Sequence, residues 1–351
     1  MPGGTAQGLS GTAPADARGA RPRTAGAAGF AIETPLEKIR VGISACLLGE
    51  HVRYDGGHRE DRYLTQTLSR YFDWVPVCPE VEYGLGVPRE AMRLVGDPER
   101  PRLVTIRTAV DHTDGMRRWA RKRLSALGEE DLGGFVFKGK SPSSGMAAVK
   151  VYPDAGGAPV KRGVGIFAAA LMERFPLLPV EEDGRLHDPS LRENFLERIF
   201  VYHRWRELWR DGARMADLVR FHAEHKLLLL SHSPKQVALL GRLVANPERR
   251  PLRALREAYL RGMMEGLKLP ATRRKNTNVL DHMAGYFKKR LTADEKEELR
   301  DVIDRYHRGL VPLVVPLTLL GHYVRRYDEP YLKRQVYLNP HPLELMLRNH
   351  V

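Results

Sequence analysis

The chain has 351 residues, is 42% hydrophobic and carries a formal net charge of +14. That apolar content suffices for two ordinary cores, because single domains usually run to about 100–200 residues. Two cysteines, Cys46 and Cys78, are too few for a secreted disulfide scaffold of this length, and no apolar run approaches the roughly 20 residues that span a bilayer. The expectation is a cytoplasmic protein with no membrane partner.

Residues 1–37 are mostly Gly, Ala, Pro, Thr and Arg. Such a segment cannot offset the entropy of ordering, so a disordered leader is expected, and it lacks the apolar core of a secretory signal. From Ile39 the pattern changes. Ile39–Ala45, Trp74–Val77, Leu103–Ile106 and Gly134–Phe137 read as buried strands, while residues 59–72 and 114–127 have helical spacing. Alternation of strand and helix predicts parallel pairing and a layered α/β domain over 38–182, with ligands beyond the carboxyl ends of the strands.

A helix at 167–175 follows the glycine-containing stretch 162–166, and the pattern then turns helical throughout. A helical connector is expected over 183–218 and an all-helical domain over 219–351. Helices are predicted at 190–209, 215–231, 234–245, 252–267, 271–291, 293–310 and 313–327. Thr292 and Glu295 have the spacing of a capping box, and Pro251, Pro270, Pro312 and Pro330 punctuate the rest. Residues 221–351 carry 24 Lys and Arg against 14 Asp and Glu. That surplus suits either a phosphate-bearing partner such as RNA or DNA, through counterion release, or a merely solvated basic surface.

Cys46 stands directly after the first predicted strand, in Ser44–Gly49, and Cys78 directly after the second, before Pro79 and Glu80. Two thiols at the same end of neighbouring parallel strands can face one crevice, as a soft-metal site requires. Buried free cysteine is nevertheless common, and two thiols alone do not define a cluster. Arg89 is either a group for a substrate carbonyl or phosphate, or a solvated or ion-paired arginine. Ser141, Ser143 and Gly145 belong to a tight polar loop whose backbone amides can meet an anionic or carbonyl ligand. Asp55, Gly56 and Gly57 read as a turn.

The strings at 43–57 (ISACLLGEHVRYDGG), 77–95 (VCPEVEYGLGVPREAMRLV) and 137–152 (FKGKSPSSGMAAVKVY) together resemble the thiouracil desulfidase family over roughly residues 38–180. The resemblance implies a four-iron four-sulfur (4Fe-4S) cluster held by three cysteines, with one iron open to substrate sulfur. Cys46 and Cys78 match the first two cluster cysteines, and Glu80 matches the family's acidic residue, implying a catalytic role in activating water or protonating the product. Ser44, Arg89, Ser141, Ser143 and Gly145 are the expected substrate-binding residues. The third motif departs from the pattern: the family has Ser-Pro-Ser-Cys-Gly where this chain has Ser-Pro-Ser-Ser-Gly, so Ser144 stands at the third metal-ligand position. A serine oxygen is a much harder and less acidic donor than a thiolate, and it weakens a cluster. Three readings follow. Serine or another group completes the site, this branch has lost the cluster, or the residue is not the natural one.

From about Val219 onward the chain resembles the YbgA-like family, a helical family of unestablished role, through the strings at 221–234, 270–291, 308–323 and 330–342. His222, His225 and His232 share one helix face, within about 80° on a helical wheel. His232 lies about 10 Å beyond His225 along the axis, too far to share one ion with it, so core or interhelical hydrogen bonding is expected. Arg273, Arg274, Lys275, Asn276, Asn278, Lys288, Lys289 and Arg290 are the residues a nucleic-acid-facing helix carries, with Tyr286 and Phe287 expected to pack inward. The functional expectation is a desulfidase acting on a thiolated nucleobase or nucleotide, with the basic domain presenting it or binding RNA or DNA. The alternative is a non-catalytic nucleic-acid-binding or repair-associated protein with a degenerate cluster site.

Overall fold

The computed structural model describes residues 37–350 except 211, 247, 343 and 344. The leader expected at 1–37 lies, apart from its last residue, outside the described residues. From Lys38 onward the chain forms one compact unit.

The first sheet contains β1 (Ile39–Ser44), β2 (Phe72–Val77), β5 (Gly134–Phe137) and β8 (Val180–Glu182) in the order β2-β1-β5-β8, and each of its pairings is parallel. β1 is central, so it is buried on both faces and reads as a nearly continuous apolar run. Gly42 interrupts that run for a steric reason: a Cβ there would sit 2.2 Å from Phe135 Cδ2. A second sheet, β4-β3-β6-β7, is built from β3 (Met92–Val95), β4 (Arg102–Thr105), β6 (Val149–Tyr152) and β7 (Val160–Gly163). The strand predicted at 103–106 is β4, and it departs from the expected parallel pairing. It joins this second sheet antiparallel to β3, to which it is linked by only a short turn.

Helices cover both faces of the first sheet, as parallel pairing requires. On one face, α2 (Thr113–Glu129) and α3 (Ile166–Arg174) bury Ala120, Leu124, Phe167 and Leu171 against Phe135 and Phe137. On the other lies α4 (Pro189–Arg210), which places Phe195, Leu196 and Ile199 against Ile39, Val41 and Ile43. The predicted helix at 59–72 is reduced to a π turn at Tyr63–Thr67 and a 3-10 turn at Leu68–Arg70.

The rest of the chain is helical: α5 (Met215–His232), α6 (Pro234–Ala245), α7 (Leu252–Leu267), α8 (Arg273–Gly285), α9 (Ala293–His307), α10 (Val314–Arg326) and the short α11 (Pro330–Lys333). Their apolar faces share one core with Val201 and Trp205 of α4. α4 therefore contributes to both cores, and the C-terminal Leu345 and Leu347 return to the sheet-side core. The Thr292–Glu295 capping box is present, with Glu295 N–H donating to Thr292 Oγ1 at 3.2 Å and Thr292 N–H to Glu295 Oε2 at 2.9 Å.

The histidine face of α5 is spent on packing. His225 is 2% exposed, stacks on Phe221, and hydrogen-bonds through Nδ1 to the Phe221 carbonyl at 2.8 Å. His222 meets the Tyr259 hydroxyl at 3.1 Å, and His232 meets Glu197 at 3.1 Å. Burial drives the His225 pKa down to about 3 from an ordinary 6.5. Because the folded value is depressed, the neutral ring contributes stability that is present above pH 6.5 and is lost as pH falls towards the folded pKa. Urea unfolding should show this group alone costing about 3 kcal/mol between pH 7 and pH 4. A His225→Gln chain should lose that increment of acid sensitivity.

Candidate active site

β1, β2 and β5 end side by side, so the loops that follow them enclose one space. β1 runs into a 3-10 turn carrying Cys46, β2 into Cys78 and the short helix α1 (Pro79–Glu82), and β5 into Lys138 and the serine loop. Together they wall a cavity of about 480 Å³. Ser44, Cys46, Cys78, Glu80, Arg89, Ser141 and Ser144 all line it. Ser143 and Gly145 stand behind the wall.

Glu80 is the centre of the polar contacts. Ser143 Oγ donates to Glu80 Oε1 at 2.6 Å, and Ser141 Oγ lies 2.9 Å from Ser143 Oγ. Cys78 Sγ lies 3.6 Å from Glu80 Oε2, and Arg89 Nη2 is 3.8 Å from the same oxygen. Arg89 is fixed by donating through Nη1 to the Val52 carbonyl at 2.9 Å, while its buried Nε–H has no partner. Glu80 is thus held between a hydroxyl donor on one oxygen and a guanidinium beside the other.

The serine loop is rigid because its backbone is used twice. Ser141 Oγ accepts from the Ser144 amide at 3.2 Å, and the Ser141 carbonyl accepts from the Gly145 amide at 2.8 Å. The Ser143 carbonyl in turn accepts from the Phe167 amide at 2.9 Å, capping the start of α3. Gly145 serves this geometry, since a Cβ there would meet Val149 at 2.5 Å and the Ser141 carbonyl at 2.9 Å. Gly165 permits the closest approach: its Cβ would lie 2.5 Å from the Ser143 backbone. Gly165→Ala should push the loop outward and destabilise the fold by about 1–3 kcal/mol. Chemical denaturation measures that loss, which Gly184→Ala, at a position with open space around it, should not reproduce.

Ser44 accepts from the Lys138 amide at 2.9 Å, so it ties β1 to β5 as well as facing the cavity. Lys138 Nζ pairs with Asp183 at 2.9 Å. Lys138, Arg53, Arg59 and Lys140 are cavity residues that sequence reasoning left out. Lys138 had a readable signal, its place directly after a strand within the third motif. Arg53 had the same kind of signal, lying within the first motif, whereas Arg59 sits in an irregular stretch that gives none.

Both cysteines are free thiols facing the same cavity. Burial pushes the Cys46 thiol up to about 11, against the opposing pull of Lys138 and Arg53. Burial, with Glu80 adding to it, pushes Cys78 up to about 12. Ser144, 4% exposed, occupies the third position, and its hydroxyl makes only a 3.4 Å contact with Ser143 Oγ. Its oxygen is thus not committed to a strong hydrogen bond. Two soft sulfur donors and one available oxygen, beside Lys138, Arg53 and Arg89, fit an anionic cluster held at three points, more weakly than three thiolates would hold it.

On the helical side, the structure corrects several surface assignments. Asn276 is buried and accepts from the Tyr337 hydroxyl at 2.9 Å, and Lys275 donates to the His232 carbonyl at 2.7 Å. Both are internal ties. Phe287 is buried as expected, but Tyr286 is 44% exposed and stacks on Tyr331. Arg273, Arg274, Asn278, Lys288, Lys289 and Arg290 remain exposed.

Comparison with known proteins follows the same division. Residues 41–183 match the family described as 2-thiouracil desulfurase, and residues 226–342 match a protein family of unknown function, DUF1722. The uncharacterized protein YbgA of Escherichia coli (strain K12) is 33% identical over 158 residues, covering 45% of this chain and 94% of the relative. A solved structure, the [4Fe-4S]-dependent thiouracil desulfidase TudS, is 28% identical and covers 44% of this chain and 98% of that one, with a TM-score of 0.36. Among the described residues no helix is long and apolar enough to cross a membrane. The chain belongs to the YbgA family, and its residues 41–183 match the 2-thiouracil desulfurase family.

Proposed function

We propose that this chain removes sulfur from thiolated pyrimidines, as free base, nucleotide or part of an RNA, and that the basic helical domain helps present the substrate. The reading rests on one observation: Cys46, Cys78, Glu80 and the serine loop converge on a single cavity at the carboxyl ends of parallel strands. Cys46, Cys78 and Ser144 are the residues to hold a 4Fe-4S cluster. When bound, such a group supplies an open iron that acts as a Lewis acid towards substrate sulfur.

The chain's own residues account for the remaining steps. Arg89 and Ser44 orient the pyrimidine by donating to its carbonyl oxygen, and Ser141 holds Ser143 by donating to its hydroxyl. Glu80 takes a proton from water, whose oxygen attacks the thiocarbonyl carbon. The remaining hydroxyl proton passes to sulfur as the carbonyl forms and the carbon–sulfur bond breaks, sulfur leaves as hydrosulfide, and the proton on Glu80 is released to it or to solvent. The Ser143 hydroxyl keeps Glu80 aimed at the cavity by donating to the oxygen opposite Arg89. Exposed Arg273, Arg274, Lys288 and Lys289 supply phosphate contacts for a nucleic-acid substrate.

The test is sulfide release by the anaerobically reconstituted chain from 2-thiouracil and from a thiolated RNA, with RNA binding followed at rising salt. Sulfide release from either substrate, with binding that weakens steeply in salt, is the expected result. Salt-dependent RNA binding without sulfide from either substrate would favour the second reading, a nucleic-acid-binding protein whose cluster site has decayed. Ser144 is the observation behind that reading.

A further inference from the structure

A second polar centre lies in the helical part of the chain. Glu193 and Glu197 are four residues apart on α4, so both carboxylates leave the same helix face. His341, in the segment after α11, meets them there: one ligand atom from each of the three residues lies within 4.8 Å of the other two. Among the described residues this is the grouping of histidine and acidic side chains with metal-ligand spacing.

His341 provides an independent sign that something is bound. It is 6% exposed, and its Nδ1 lies 3.2 Å from the Pro342 carbonyl. A hydrogen bond donated there fixes the neutral tautomer, with Nε2 as the lone-pair nitrogen. That Nε2 is buried without a partner. A buried acceptor left unpaired costs about 1–3 kcal/mol, and a metal ion is one of the few partners that accept a lone pair outright.

We propose that Glu193, Glu197 and His341 bind a divalent first-row metal ion. Two carboxylates and an imidazole suit Mn²⁺, Fe²⁺ or Zn²⁺. The carboxylates already face Arg348, whose Nε is 3.2 Å from Glu193 Oε1 and whose Nη2 is 3.0 Å from Glu197 Oε1. Glu197 Oε2 also lies 3.1 Å from His232 Nε2 and Glu193 Oε2 lies 3.5 Å from His350 Nε2, so the ion competes with Arg348 and both imidazoles for these oxygens. Arg348 is the counter-charge that keeps the carboxylates together without metal, and it withdraws as the ion enters. A cavity of about 150 Å³, lined among others by Glu193, Glu197, His232, Arg273, Arg348 and His350, reaches the two carboxylates, and His341 meets them from outside its lining. The ion ties His341 to α4 in place of the Arg348 contact.

Mn²⁺ is the probe, because its preference for oxygen and nitrogen leaves Cys46 and Cys78 aside. The full-length chain is titrated with Mn²⁺ alone and followed by electron paramagnetic resonance. One Mn²⁺ per chain is expected, with nitrogen coupling in the pulsed spectrum. In His341→Gln the coupling should vanish and the affinity fall about tenfold or more, whereas Arg348→Met should bind more tightly and Cys46→Ser/Cys78→Ser as the parent does. Circular dichroism establishes that each variant is folded, and the parent titration stands even where a variant is not. No Mn²⁺ bound by the parent at about 1 mM, well above the range of specific sites, overturns the proposal. So does bound Mn²⁺ whose spectrum and affinity are unchanged in a folded His341→Gln chain.

Discussion

Ser144→Cys should raise iron retained after anaerobic reconstitution to about four per chain and increase sulfide release from 2-thiouracil about tenfold or more. The parent loop already presents the right position. The Ser144 amide is held by Ser141 Oγ, its side chain is buried at the cavity wall, and its hydroxyl is free of any strong hydrogen bond. Exchanging oxygen for sulfur there asks for no change of backbone, only a slightly larger atom. It replaces a donor that stays protonated at neutral pH with one that a metal deprotonates readily. The measurement is iron and acid-labile sulfide per chain, followed by turnover. Equal iron content in parent and variant would mean that Ser144 is no ligand.

Glu80→Gln should lower kcat by about 10²–10⁴, the span general acid–base catalysis contributes, with iron content unchanged. Glutamine keeps the size of the side chain and can still accept from Ser143, so the loop geometry at 2.6 Å survives in outline. What disappears is the carboxylate that takes a proton from water. The defect therefore belongs in kcat rather than KM, and kinetics at saturating 2-thiouracil resolve the two. A variant with parent kcat would assign Glu80 to orienting Cys78 and Arg89, whose side chains it also touches.

Local signals account for what could be read in advance. The helices after Pro189 follow from apolar spacing and from boundary signals such as Pro251 and the Thr292 capping box, and the structure keeps most of their limits within a few residues. α8 ends at Gly285, before Phe287. Strands β1 and β5, buried on both faces, announce themselves as β-branched and aromatic runs. Strands β3, β6 and β7 do not, because each is four residues long and carries charge: Arg93, Lys150, and both Lys161 and Arg162. Length and polarity leave no pattern to read there, and the second sheet emerges only from tertiary pairing.

The cavity was legible in part for a similar reason. Cys46, Cys78 and the serine loop follow strands of one parallel sheet, and the rule that ligands gather at strand carboxyl ends brings them together. Arg53 and Arg59 reach the cavity from an irregular loop whose path no periodicity encodes. The Glu193–Glu197–His341 grouping was hidden further, because it unites residues about 145 positions apart through the return of the C-terminal segment. Reading His232 as part of a helix stripe located its burial but not its partner Glu197, which lies on another helix.

The proposed desulfidation requires iron in the cavity between β1, β2 and β5. A crystal of the unmodified, anaerobically reconstituted chain, measured at the iron absorption edge, places the metal without reference to activity. Anomalous density bounded by Cys46 Sγ, Cys78 Sγ and Ser144 Oγ, with one iron facing the open side towards Glu80, is the predicted result. An iron-free cavity in a chain that has taken up iron elsewhere, or Cys46 and Cys78 joined to each other, would contradict it.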